Sequence, residues 1–169
     1  MIASCFTPLI LQKFCRCKEK GKIGRLIRLI FADMTKLFLK KKIAARIANG
    51  HPWVFGNEVD KIDGPIEPAG TVDVHYADGK FAGRGYINPK SQILVRLLTR
   101  KPETIDAAFF HRRIAEAWAY RQKIGYTENC RLVFGEADQM PALIIDKFND
   151  YFVLQTLSLG MDHWKPAIV

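Results

Sequence analysis

The stretch "NGHPWVFGNEVDKIDG", residues 49–64, gathers side chains that a site could use. His51 could serve as a ligand and Trp53 as an aromatic stacker, and Asn57 and Glu58 look like further parts of such a site. An architectural reading competes with this one. Gly50 ends a short helix and Pro52 fixes the turn after it. Trp53 and Phe55 are then expected to anchor the core of a small barrel, with Asn57 and Glu58 bonding to backbone. Other chemistry-bearing residues are scattered. His51, His75, His111 and His163 have no partner at metal-ligand spacing, so no metal site is expected. Asp138 and Asp146 bracket "QMPALII" and could serve acid–base work, but carboxylates beside turns are commonly structural. Glu136 and Asp138 alternate in "GEAD" and could share a face. Cys130 could be a nucleophile, yet nothing near it in sequence would lower its pKa. The single G-x-G, "GRG" at 83–85, is followed by Asn88-Pro89 and a strand. A cofactor loop would be followed by a helix, so these glycines are expected to permit close strand approach.

Charge is the stronger signal. The chain of 169 residues carries a formal charge of +9, and residues 1–50 contain 12 of its 26 Lys and Arg but 2 of its 17 Asp and Glu. The basic excess therefore belongs to the N-terminal part. Within the strand-rich region, Lys40, Lys41, Lys42, Arg46, Arg84, Lys90 and Arg96 form the candidate set for tracking a phosphate backbone. Arg100 and Lys101 extend the same run of basic positions.

Hydrophobic period locates the elements. "KLFLKK" (36–41) reads as a strand and "IAARIANG" (43–50) as one or two helical turns stopped by Gly50. In "GTVDVHYADGKFAGRGYIN", Val72, Val74 and Tyr76 alternate with Thr71, Asp73 and His75, and Asp78-Gly79 suggests a two-residue type I′ turn. "SQILVRLLT" (91–99) is a further strand with Ile93, Val95 and Leu97 on one face. Short strands punctuated by Gly and Pro suggest a small β-barrel. After Pro102 the period changes to 3.6. A helix over 105–124 is expected, with Phe110, Ile114, Ala117 and Trp118 on its buried stripe, Thr104 or Asp106 as N-cap and Gly125 as stop. Strands return at 130–136, 142–148 and 151–157, with Asn149-Asp150 turning between the last two. Asp162 is expected to open another helix, which the sequence does not complete.

Residues 1–33 read as a basic extension. They could form an amphipathic segment on RNA or membrane, a disordered tail, or sequence upstream of a true start at Met34. Three of four cysteines, Cys5, Cys15 and Cys17, lie there, which argues against a disulfide framework and for a reduced, cytoplasmic setting. No apolar run approaches the ~18 residues of a membrane span.

Three stretches together resemble one family. "RIANGHPWVFGNEVDKIDG", "GRGYINPKSQILVRLLT" and "RLVFGEADQMPALIIDKFNDYFVLQTLSLGMD" match, in order and spacing, the motifs of the class I S-adenosylmethionine-dependent 23S rRNA (cytosine-C5) methyltransferases. Position 142 is Ala where that family commonly has Gly, and Cys130 does not match its nucleophile. The resemblance implies an α+β chain. A basic extension (1–33) precedes a PUA-like RNA-binding pseudo-barrel (34–101) and a β-β-α-β-β domain (102–161), with residues 162–169 opening a further element. The Rossmann-like catalytic domain is expected to be absent. It further implies RNA, 23S rRNA in particular, as partner, and S-adenosylmethionine as cofactor of the full-length family but not of this chain. No catalytic, cofactor or metal residue is assigned. No membrane association is expected, and a homodimer stays open. The alternatives are a free-standing PUA-type RNA-binding module, or an enzyme of another class that carries such a module.

Overall fold

Alternation in "KLFL" puts Leu37 and Leu39 on one side, and both are buried in strand β1 (Lys36–Leu39). The structure, a computed structural model, describes residues 34–169; the basic extension and its three cysteines lie outside the described residues. A 3-10 turn (Lys41–Ile43) and a short helix α1 (Ala44–Ala48) come after β1. Gly50 ends them at φ +98°, a left-handed value that glycine adopts without a Cβ clash.

Five more strands complete the first sheet: β2 (Trp53–Phe55), β3 (Val59–Asp63), β4 (Thr71–His75), β5 (Phe81–Ile87) and β6 (Ile93–Thr99). Their order is β2-β6-β5-β4-β1-β3. Strands β2 and β3 stand at opposite edges, yet the three-residue 3-10 turn Gly56–Glu58 joins them. So short a link requires the sheet to curl until its edges meet, which gives a pseudo-barrel. Inside it pack Leu37, Leu39, Ile47, Val54, Val72, Val74, Ile87, Val95 and Leu97.

The glycines of "GRG" lie inside β5. A Cβ on Gly85 would stand 2.0 Å from the Arg96 carbonyl oxygen, and one on Gly83 would stand 2.8 Å from that of Thr99. Close approach of β6 is therefore their reason, as the sequence indicates. Two details of the hairpin differ from expectation. Tyr76 and Lys80 pair across a three-residue loop with Gly79 at φ +84°, in place of a two-residue type I′ turn. Asp73, expected on an exposed face, is buried because Arg84 on the neighbouring strand covers and neutralises it.

Beyond Pro102, Asp106 accepts a hydrogen bond from the Phe109 N–H at 2.9 Å and starts α2 (Ala107–Lys123). Phe110 and Ala117 are buried and Ile114 and Trp118 pack against them, so the expected stripe is present; Phe109 is buried as well. Gly125 comes next at φ +94°. Strands β7 (Asn129–Phe134), β8 (Leu143–Phe148) and β9 (Tyr151–Thr156) form an antiparallel sheet in that order. Helix α3 (Leu159–Ile168) begins three residues ahead of Asp162, because the Ser158 hydroxyl accepts from the Met161 N–H at 3.3 Å and caps it. Residues 102–161 run helix, strand, strand, strand and the start of a helix, so the two strands expected ahead of the helix in a β-β-α-β-β unit are absent from that span; the strands that precede α2 are β5 and β6 of the barrel sheet. On β9, Tyr151, Phe152 and Val153 are exposed.

Strands β5 and β6 are buried on both faces. Their outward residues Tyr86 and Leu98 enter a second core with Phe109, Phe110, Leu132, Met140, Leu143 and Met161. The Tyr86 hydroxyl donates to the Pro141 carbonyl at 3.0 Å and shares a 2.7 Å hydrogen bond with the Ser158 hydroxyl. Gly160 sits against its ring; a Cβ there would fall 2.0 Å from Cδ2.

Two consequences are measurable. Gly85→Ala is expected to cost about 3 kcal/mol or more, because backbone atoms of β6 occupy the space; urea unfolding monitored by circular dichroism reads this. Burial pushes the Tyr86 pKa up to about 12 from the ordinary 10.0. The folded state thus keeps a proton that the unfolded state loses. This contribution is complete below pH 10 and is lost as pH rises from there to about 12, at about 1.4 kcal/mol per pH unit. Tyr86→Phe is expected to cost about 1–2 kcal/mol at neutral pH and to remove this alkaline decline relative to the unaltered chain.

Candidate nucleic-acid interface

The opening stretch resolves into a structural network. The Arg46 guanidinium donates to the Glu58 carboxylate, to the Trp53 carbonyl at 2.9 Å and toward His51 Nδ1 at 2.7 Å. His51 Nδ1 also accepts from the Trp53 N–H at 3.2 Å, which places the ring proton on Nε2. Glu58, buried, accepts from the Phe55 N–H at 2.8 Å as expected of a residue that bonds backbone. Trp53 and Phe55 do not anchor the barrel core. Both are half-exposed, and Val54 between them points inward, completely buried. The β2 pleat has the opposite phase to the one expected, and the two aromatic rings meet edge to face outside the barrel, 6.4 Å apart. The Trp53 indole N–H donates to Glu136 at 2.8 Å, linking the barrel to the segment before β8.

The other carboxylates are similarly occupied. Asp138 pairs with Arg121 at 2.6 Å and accepts from the Phe134 N–H at 2.7 Å. Asp146 holds Arg131 in a two-pronged pair at 2.9 and 3.1 Å, and that carboxylate raises the Arg131 pKa above its ordinary value. Glu136 and Asp138 lie in a 3-10 turn (Gly135–Asp138) and bond to different partners, so they do not act as a pair. Cys130 is a half-buried free thiol opposite Lys147 in the β7–β8 register. Among the described residues no group of three or more metal-ligating side chains converges, and no helix is long and apolar enough to cross a membrane. The "GRG" segment, packed on β6, is no loop and offers no cradle for the adenosyl or carboxylate groups of S-adenosylmethionine. That segment does not fit that cofactor.

The seven candidate basic residues divide in two. Arg84 donates to both Asp73 oxygens, at 2.7 and 3.0 Å, and to the Glu103 carbonyl at 2.7 Å. Asp73 holds its pKa above the ordinary arginine value. Arg46 is bound as described above. These two side chains hold the fold. Lys40, Lys41, Lys42 and Lys90 are exposed. Lys40 is held at the turn Gly56–Glu58, where its N–H donates to the Glu58 carbonyl at 2.9 Å and its Nζ to the Asn57 carbonyl at 2.8 Å; Lys41 and Lys42 follow it along the chain, and Lys90 stands two residues from Gln92, whose carbonyl accepts from the Gly56 N–H at 3.2 Å. Arg96 is half-buried, opposite Trp53 on one side and Tyr86 on the other. Nothing in local sequence separates the two classes. The partner of Arg84 lies 11 residues away on the neighbouring strand, and that of Arg46 lies 12 residues away in the turn before β3.

The division predicts opposite mutational outcomes. Arg84→Met leaves the buried Asp73 unpaired and is expected to lose about 3 kcal/mol of stability, whereas Lys41→Gln and Lys90→Gln are expected to stay within about 0.5 kcal/mol. Thermal and urea unfolding of the three variants checks this.

Comparison with known proteins gives these features a context. Residues 37–100 match a PUA-like domain. Over 138 residues the chain is 38% identical to the ribosomal RNA large subunit methyltransferase I of Cronobacter sakazakii, covering 79% of this chain and 35% of that protein. The protein of the same name from Serratia proteamaculans is 37% identical over 138 residues, with the same coverage. A candidate SAM-dependent methyltransferase from Streptococcus mutans shares the fold, with a TM-score of 0.68 over 80% of this chain and 36% of that one at 14% identity. The chain carries a PUA-like domain and is related to these ribosomal RNA methyltransferases, and it spans about a third of their length.

Proposed function

We propose that this chain is the RNA-binding N-terminal portion of an S-adenosylmethionine-dependent cytosine-C5 methyltransferase of large-subunit ribosomal RNA, and that it supplies RNA affinity without the methyl-transfer chemistry. Its similarity to ribosomal RNA large subunit methyltransferases carries the reading. The exposed lysines give it a physical basis. The exposed ammonium groups of Lys40, Lys41, Lys42 and Lys90 attract the phosphate backbone and release its counterions. Arg96 is placed to add a fifth cation beside Trp53.

Cytosine C5 methylation requires a nucleophile that adds to C6, a bound methyl donor and a base that removes the C5 proton. In this reading those parts belong to the two thirds of the relatives' length that the chain does not match. The chain's own contribution is to hold the substrate: lysines fix phosphates while the ion-paired arginines keep the barrel rigid. RNA is expected to bind more weakly as salt rises. Replacing Lys40, Lys41 and Lys42 with Gln is expected to reduce the slope of log affinity against log salt by about 2. Filter binding to unmodified 23S rRNA at several salt concentrations measures both effects; absence of binding at low salt overturns the proposal. With methyl-labelled S-adenosylmethionine and the same RNA, the chain is expected to incorporate no label, and clear incorporation would show that it carries chemistry of its own.

A further inference from the structure

A groove of about 600 Å³ is lined by Lys41, Ala48, Tyr76, Ala77, Asp78 and Lys80. The topology that forms it is specific. β1 and β4 run parallel, so the turn after β1 and the hairpin loop after β4 emerge at the same end of the barrel. Lys41 comes from the first and Tyr76 to Lys80 from the second. Ala48 and Ala77, both exposed, contribute small side chains to the lining. The volume lies within the ~300–1,000 Å³ of small-ligand clefts.

The lining has two chemical parts. Tyr76 is half-buried: its ring packs against the barrel core, and its hydroxyl has no hydrogen-bond partner among the described residues. Lys41 has no ion pair among the described residues. Lys80 has one, a fully surface-exposed pair with Asp78 at 3.0 Å, of a kind weak enough for a phosphate to displace. A tyrosine and two lysines lining one groove match the two halves of one nucleotide, a planar base and an anionic phosphate. A base paired inside a duplex shows only its edges, so the ring of Tyr76 is open to an unpaired base alone.

We infer that this groove is a subsite for one unpaired nucleotide of the bound RNA, its phosphate between Lys41 and Lys80 and its base against Tyr76. The inference rests on the RNA-binding reading and adds to it a preference for single-stranded over duplex RNA. The groove lies outside the candidate set drawn from sequence except for Lys41, because Tyr76 and Lys80 gain their role from the loop geometry alone.

The test uses the full 169-residue chain and two probes, a short unstructured RNA oligonucleotide and a blunt RNA duplex of the same length, each monitored by fluorescence anisotropy. The single strand is expected to bind more tightly. Tyr76→Leu, which keeps an apolar contact with the core, is expected to weaken it about fivefold or more. The double variant Lys41→Gln, Lys80→Gln, at two surface positions that do not support the fold, is expected to lower the salt slope by about 1.4 for the single strand. Circular dichroism confirms folding of each variant. If both probes bind and these variants bind the single strand as well as the unaltered chain does, the subsite is wrong while the RNA-binding reading stands. If neither probe nor 23S rRNA binds, that reading fails first. Equal affinity for duplex and single strand also overturns the subsite.

Discussion

The Tyr86 phenol is where the two cores of the described unit are tied together. It leaves a barrel strand on the outer face and is almost completely buried. Its hydroxyl joins the Pro141 carbonyl and the Ser158 hydroxyl, and Gly160 gives its ring room. Ser158 in turn caps α3. A single side chain therefore fixes the approach to β8, the start of the last helix and the outer face of β5. The arrangement also depends on Gly83 and Gly85, because β6 must lie close against β5 before Tyr86 and Leu98 can present one surface to the second core.

Arginine and lysine do different work in this chain. Arg46, Arg84, Arg121 and Arg131 each meet a carboxylate, and in all four pairs at least one partner is largely shielded from water. The planar guanidinium suits two-pronged pairing with a carboxylate, which arginine supplies and lysine does not. The lysines at 40–42, 80 and 90 are left on the surface with, at most, weak partners. Net charge alone would have counted the two sets alike, so the number of basic residues overstates the part of the barrel available to a phosphate backbone.

The hairpin, the long helix and the order of the later strands were legible because alternation and helical period are local properties. The close-packing role of "GRG" was legible too, because Asn88-Pro89 and a strand, not a helix, succeed it along the chain. The features that escaped the sequence depended on partners across the fold. The phase of β2 is set by where Val54 can be buried, and reading Trp53 as core relied on residue size instead. Asp73 looked like an outward polar residue until Arg84 from the next strand covered it. Ser158 could not be chosen over Asp162 as the start of α3 without the Tyr86 hydroxyl that shares it. The "PWVF" motif that looked most like a site is a joint: its Arg46–His51–Glu58 network shapes the turn, and Trp53 reaches Glu136 on the other side.

The account's central claim is a division of labour in which exposed lysines of the barrel meet RNA while paired arginines hold the protein together. Ultraviolet cross-linking of the chain to unmodified 23S rRNA, with the attached peptides identified by mass spectrometry, tests it most directly. The account predicts cross-links in peptides spanning residues 40–42, 76–80 and 88–92. Cross-links confined to α2 and β9, with none in the barrel, would contradict it.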